Sequence, residues 1–156
     1  MEIRTQGHFS AAHIVDGATK CSRLHGHNWT VDVTFYGDID PATGMVMDFI
    51  RIKDIIGSLD HKTLLTSNQV KEITRKDASE EYHVFAGNRN YILPSDVCVI
   101  LPIPFTTAEL IAQYLGDKLM EMNKNNLIYR WVVSVNESDK SQATYRSRTT
   151  MNNVVE

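Results

Sequence analysis

With 156 residues, the chain suits a single domain and is long enough to bury a core without disulfides or a structural metal. A composition of 42% hydrophobic and 22% charged residues excludes a disordered or fibrous polymer, and a net charge of -3 argues against a general nucleic-acid binder. Two cysteines, Cys21 and Cys98, do not make a disulfide framework, and no apolar leader or membrane-length apolar run is present, so the expectation is a cytoplasmic protein with neither a nucleic-acid nor a membrane partner.

Ile3 to His13 alternates, with Ile3, Thr5, Gly7, Phe9, Ala11 and His13 on one parity, and so predicts a strand. A second strand follows, in which Trp29, Val31, Val33 and Phe35 alternate with Thr30, Asp32, Thr34 and Tyr36. Turn residues from Asp38 to Gly44 lead to Met45-Val46-Met47, which reads as a short return strand of a hairpin. Asp48 suits the N-cap of a helix with Phe49, Ile52, Ile56 and Leu59 on its apolar side and Gly57 near its end.

The segment from about 66 to 101 reads as an insertion. Lys71 to Glu81 is charged and predicted to be exposed. His83 to Ala86 and Asn90 to Leu93, joined through Gly87, predict a small hairpin, and Val97 to Leu101 another strand. A second helix starts near Thr107, with Ala108, Ile111, Leu115, Leu119 and Met122 as its stripe. The last strand runs from Tyr129 to Glu137, and the tail from Arg146 onward reads as polar and loose. This order predicts an α+β fold in one domain over residues 1–156, with two helices on one face of a mainly antiparallel sheet.

His25 and His27 stand two apart, which on a strand places both imidazoles on one face, together with Trp29 and Val31. Two neutral imidazoles facing an interior need partners, and one metal ion satisfies both. His13, on the parity of Phe9, is the candidate third ligand; three histidines with one open position form a common catalytic zinc site, while the plainer alternative is a turn carrying surface histidines.

Cys21 reads in three ways: a fourth ligand closing the site, a free thiol beside it, or a small packed hydrophobe. In Asp60-His61 the carboxylate can orient the imidazole for acid–base work, although on pattern alone a histidine favoured at a helix C-terminus is the slightly stronger reading. Thr106-Thr107-Ala108-Glu109 fits a capping box with Thr106 as N-cap. Glu137 shares the parity of Trp131, Val133 and Val135; either it has a buried partner or the strand ends at Val135 and leaves it in solvent.

Phe9 to His13, Cys21 to His27, Gly44 to Phe49, Leu59-Asp60-His61, Thr106 to Glu109 and Val135-Asn136-Glu137 occur in an order that resembles the 6-pyruvoyltetrahydropterin and 6-carboxytetrahydropterin synthase family, from about Ile3 to Tyr145. The resemblance implies a tunnelling fold, in which subunits join their sheets into a barrel as trimers or hexamers with interfacial active sites. It implies Zn2+ on His13, His25 and His27, Cys21 as the proton-abstracting group, Asp60 and His61 as a relay pair, Glu137 as anchor of a small-molecule pterin, and Thr107 and Glu109 lining the same pocket. The implied substrate is 7,8-dihydroneopterin triphosphate.

The placement of Cys21, three residues before His25-Gly26-His27 by the same resemblance, suggests the 6-carboxy branch of queuosine and 7-deazaguanine biosynthesis, a lyase releasing acetaldehyde and triphosphate. The 6-pyruvoyl branch, without carbon–carbon cleavage, is the alternative; a non-catalytic zinc-stabilised pterin-binding module is a third. Leu65 and Leu110 depart from asparagines common in the family, and the 66–101 insertion is long for it.

Overall fold

The computed structural model describes residues 1–17, 20–76 and 79–147. Strand β1 (Glu2–His13) pairs antiparallel with β2 (His25–Gly37), and β2 pairs with β8 (Ile128–Ser138), which pairs in turn with β9 (Ser141–Arg146). On the other side of β1 lie β3 (Lys62–Thr66) and then β7 (Cys98–Leu101), both parallel to their neighbours. The six-stranded order is β7-β3-β1-β2-β8-β9. The sheet is therefore mixed: antiparallel through its centre, with a parallel margin that the sequence reading did not anticipate. Parallel neighbours require crossovers. Helix α1 (Phe49–Gly57) precedes β3, and the 66–101 segment carries the chain from β3 to β7.

Both long hairpin strands follow their sequence alternation. Phe9, Ala11 and His13 of β1 and Trp29, Val31, Val33 and Phe35 of β2 are buried on one face. Ile52 and Ile56 of α1 and Ile111, Leu115 and Leu119 of α2 (Ala108–Met120) pack into the same core, so both helices cover that face. Asp48 caps α1 as expected, its side chain accepting from the Ile50 N–H at 2.8 Å; such a cap stabilises a helix by about 1 kcal/mol.

Four expectations need correction. Met45 to Met47 makes no return strand; only an isolated bridge between Asp40 and Met45 forms, because the Asp40–Gly44 turn feeds almost at once into the α1 cap. The N-cap of α2 is Thr107, with no side-chain cap bond, and the Thr106 hydroxyl instead donates to the Ile14 carbonyl at 2.9 Å, so there is no capping box. The described residues between Lys71 and Glu81 are mostly exposed, as expected, but they belong to strands β4 (Val70–Lys76) and β5 (Ser79–Ala86), which with β6 (Arg89–Pro94) make a three-stranded antiparallel sheet. Arg146 ends β9 rather than opening a loose tail; residues 148–156 lie outside the described residues.

At Gly116, α2 packs close against the sheet. A Cβ there would lie 2.9 Å from Cδ1 of the Tyr145 ring and 3.3 Å from the Trp131 indole nitrogen. Neither ring has a flexible end with which to yield. Gly116→Val is expected to destabilise the fold by about 1–3 kcal/mol through overpacking, read as a lower urea midpoint at unchanged slope; an unchanged midpoint would refute the tight helix–sheet approach.

Candidate metal centre

The β1–β2 register sets His13 directly opposite His25 and Ala11 opposite His27. All three imidazoles lie on the inward parity, at the end of the hairpin, next to Trp29, whose ring meets those of His13 and His27 edge-on at 5.1 and 5.3 Å. Phe9 stacks on Trp29 in turn, so an aromatic floor supports the cluster. Glu137 joins it from β8. That strand continues through Ser138, which keeps Glu137 on the face of Val133 and Val135.

The donor atoms converge. His13 Nε2 is 3.1 Å from His25 Nε2, and Glu137 Oε1 is 3.3 Å from Nε2 of both His13 and His27. One ligand atom from each of the four residues lies within 4.8 Å of every other. A tetrahedral zinc ion with bonds of about 2.0–2.1 Å spaces its donors by about 3.3 Å.

Proton bookkeeping sharpens this. His13 Nδ1 is 2.7 Å from the Thr106 carbonyl and His25 Nδ1 is 2.7 Å from the Arg23 carbonyl. A carbonyl only accepts, so both Nδ1 atoms carry hydrogen, and in the neutral rings both Nε2 atoms are lone pairs. Two lone pairs facing at 3.1 Å, beside a carboxylate oxygen, repel unless a cation lies among them. His27 Nε2 is buried without a hydrogen-bond partner; Glu137 Oε1 is near in distance but not in hydrogen-bonding alignment. Backbone carbonyls fixing Nδ1–H while Nε2 is held free is the outer-shell pattern of metal-binding histidines. The residues present fit a divalent ion.

Exposure grades across the centre. His13 is fully buried, while the His27 and Glu137 side chains are 26% and 30% exposed, which leaves one side open to a guest. Burial is the chief cause that holds His13 below its ordinary value near 6.5; the Thr106 carbonyl pulls the other way and the neighbouring His25 reinforces the depression.

The other predicted residues are distributed around this centre. Cys21 is exposed in the loop before β2, its carbonyl accepting from the Val15 N–H at 2.8 Å, and its sulfur is not among the converging donors. Thr107 is half-buried at the head of α2 and Glu109 is exposed in its first turn. Asp60 and His61 sit over the opposite face of the sheet. Asp60 Oδ1 accepts from the Ser10 backbone N–H at 2.7 Å and Asp60 Oδ2 from His61 Nδ1 at 2.8 Å. These two hydrogen bonds, the Ser10 one first, hold the Asp60 carboxyl below the usual carboxylate range.

His61 adopts φ 57°, a left-handed conformation uncommon for a non-glycine residue, which points to a constrained turn. Around it, Ser10, Gly26, Asn28 and Lys62 line an open depression of about 430 Å³. Another cavity, of about 360 Å³ between Asp40, Met45, Arg51 and Met122, contains none of the predicted site residues. Sequence reasoning missed the carbonyls of Thr106 and Arg23, since a backbone acceptor leaves no mark in residue identity, and it placed Glu137 beside a substrate rather than among the imidazoles.

A mixed sheet carrying two helices on one face, with a histidine and carboxylate centre at the end of its central hairpin, defines a candidate metalloprotein of the tunnelling-fold class. The family model described as 6-pyruvoyl tetrahydropterin synthase matches residues 2–148, and the chain belongs to that family. A Methanocaldococcus jannaschii protein, provisionally named a 6-carboxy-5,6,7,8-tetrahydropterin synthase, is 37% identical over 150 residues, covering 88% of each chain. Human 6-pyruvoyl tetrahydrobiopterin synthase is 32% identical over 127 residues, covering 78% of this chain and 66% of its own. The crystal structure of Plasmodium vivax 6-pyruvoyl tetrahydropterin synthase superposes with a TM-score of 0.70 at 27% identity, covering 95% of this chain and 98% of that one.

The depressed His13 value gives a pH prediction. Its neutral form is favoured on folding, so its contribution to stability is fully present above pH 6.5 and is lost as pH falls through the lowered folded value. Chelator-treated protein should therefore lose urea resistance as pH falls below 6.5, and His13→Asn should flatten that slope. An equal slope in both proteins would contradict the assignment.

Proposed function

We propose that the chain is a zinc-dependent 6-carboxytetrahydropterin synthase, a lyase that converts 7,8-dihydroneopterin triphosphate to 6-carboxytetrahydropterin with release of acetaldehyde and triphosphate, in queuosine and 7-deazaguanine biosynthesis. The observation that carries the reading is the convergence of His13, His25, His27 and Glu137 with two Nδ1–H groups pinned to carbonyls. The motif order and the Methanocaldococcus jannaschii relative support the branch.

His13, His25 and His27 would hold the ion. Bound zinc supplies Lewis acidity toward oxygen atoms of the substrate side chain. Cys21, exposed in the loop that leads to His25, takes a carbon-bound proton at Sγ. His61 has committed Nδ1–H to Asp60, which leaves Nε2 as its free proton-handling atom, and Asp60 orients the ring. This pair lies on the sheet face opposite the cluster, so it serves a neighbouring protomer's centre, in keeping with a homo-oligomeric trimer or hexamer whose sheets close into a barrel. Glu137, whose carboxylate would face the bound ion, would also anchor the amino edge of the pterin. Thr107 and Glu109, at the head of the helix whose preceding carbonyl fixes His13, line the same pocket.

Incubation with dihydroneopterin triphosphate, with products identified by mass, tests the reading: acetaldehyde with a carboxypterin supports it, a pyruvoyl product assigns the chain to the other branch, and no triphosphate release ends the enzyme reading in favour of a binding module. Cys21→Ala should lower turnover by about 10²–10⁴-fold with metal content unchanged; loss of metal would make the cysteine a ligand instead. Glu137→Gln should weaken both metal retention and substrate affinity, measured by chelator competition and by KM. If only one of the two changes, Glu137 does not have the double role.

A further inference from the structure

The β4–β6 sheet has no part in the chemistry above, yet it and the turn before it reach the segment joining the two ligand strands at three points. Gln69, buried between β3 and β4, donates from Nε2 to the Ile14 carbonyl at 2.9 Å, one residue past His13, and its Oε1 accepts from the Thr66 N–H at 3.0 Å. On β6, the Tyr91 hydroxyl accepts from the Leu24 N–H at 3.3 Å, one residue before His25. Arg89, at the start of the same strand, donates to the Ser22 hydroxyl at 3.3 Å. A small apolar core of Ile14, Leu65, Val84 and Ala86, with Leu24, Tyr91 and Leu93 packed against it, joins the inserted sheet to both ligand-bearing segments.

The Tyr91 contact falls on one particular peptide group. The Leu24 N–H and the Arg23 carbonyl belong to the same planar unit, and the Arg23 carbonyl is the acceptor for His25 Nδ1–H at 2.7 Å. The chain of contacts runs from the Tyr91 hydroxyl through the 23–24 peptide to His25 Nδ1, and across the ring to Nε2. Hydrogen bonds in series polarise one another, and a peptide held at its N–H cannot rotate its carbonyl away. We infer that the inserted sheet is an outer brace for the metal centre, with Tyr91 as a positioning residue that orients His25 through the 23–24 peptide. The inference rests on the metal centre of the proposed function, but not on the identity of the substrate or product.

Zinc affinity, measured by competition with a chromophoric chelator on the full chain, tests it without turnover. Loss of an outer-shell partner weakens metal binding by about 10–100-fold. Tyr91 acts one bond further out, so Tyr91→Phe is expected to weaken zinc by about 3–10-fold and to shift the visible bands of the cobalt-substituted protein, with its melting temperature little changed. Leu93→Ala supplies the contrast: it removes packing from the same small core without touching the peptide, so it should lower the melting temperature and leave zinc affinity in place. Tyr91→Phe that binds zinc within twofold of the parent overturns the inference, as does Leu93→Ala that weakens zinc equally, since the effect would then be general loosening. A parent protein that takes up no zinc defeats the functional reading and this inference together; a parent that binds zinc while Tyr91→Phe is indifferent defeats the inference alone.

Discussion

Electron-rich atoms share a space that, without positive charge, they would vacate. The repulsion among His13 Nε2, His25 Nε2 and Glu137 Oε1, with the unpartnered His27 Nε2 beside them, is the constraint around which the central hairpin is arranged. The β1–β2 register sets two of the rings opposite each other, the parity of β8 delivers the carboxylate, and the carbonyls of Thr106 and Arg23 hold two rings so that they cannot turn their protonated nitrogens inward. Each of these determinants comes from a different part of the chain. The segment entering α2 and the loop entering β2 act on the centre as directly as the ligands do.

The same strand geometry divides the machinery. Successive side chains of β1 and β2 point to opposite faces, so the hairpin that holds the histidines inward presents Ser10 and Asn28 outward, where Asp60 and His61 rest. One chain thus carries the histidine–glutamate cluster and the Asp60–His61 pair on opposite faces of the same hairpin. In the proposed assembly the two meet only across copies.

Much of this was legible in the residues. The alternation of β1, β2 and β8 is long and one-sided, so their faces could be read directly, and the two-residue spacing of His25 and His27 put both rings on the inner face. The stripes of α1 and α2 were equally clear, as was the Asp48 cap. What escaped notice did so for physical reasons. The Leu64–Leu65 strand is buried on both sides and has no alternation to show. The charged run from Lys71 to Glu81 read only as exposed, because charge on the exposed side of β4 and the start of β5 hides the strand pattern, whereas His83 to Ala86 at the end of β5 read as a strand. Thr106 has the identity of a capping residue, but its hydroxyl is drawn to the Ile14 carbonyl by a tertiary contact that local pattern cannot register. Glu137 was visible as an anomaly on an apolar face; its neighbours were not, because they arrive from distant strands.

The placement of the inserted segment has a consequence for descent. It joins β3 to β7, adjacent parallel strands that would need a crossover whatever its content. For such a connection, each doubling of length adds only about 0.6 kcal/mol of closure entropy, so lineages can lengthen or trim it without disturbing the hairpin beneath. Gln69 and Tyr91 set the limit on that freedom, because each fastens the added chain to a residue adjoining an imidazole of the centre. Length changes in this crossover are therefore tolerable only where both fastenings stay in place.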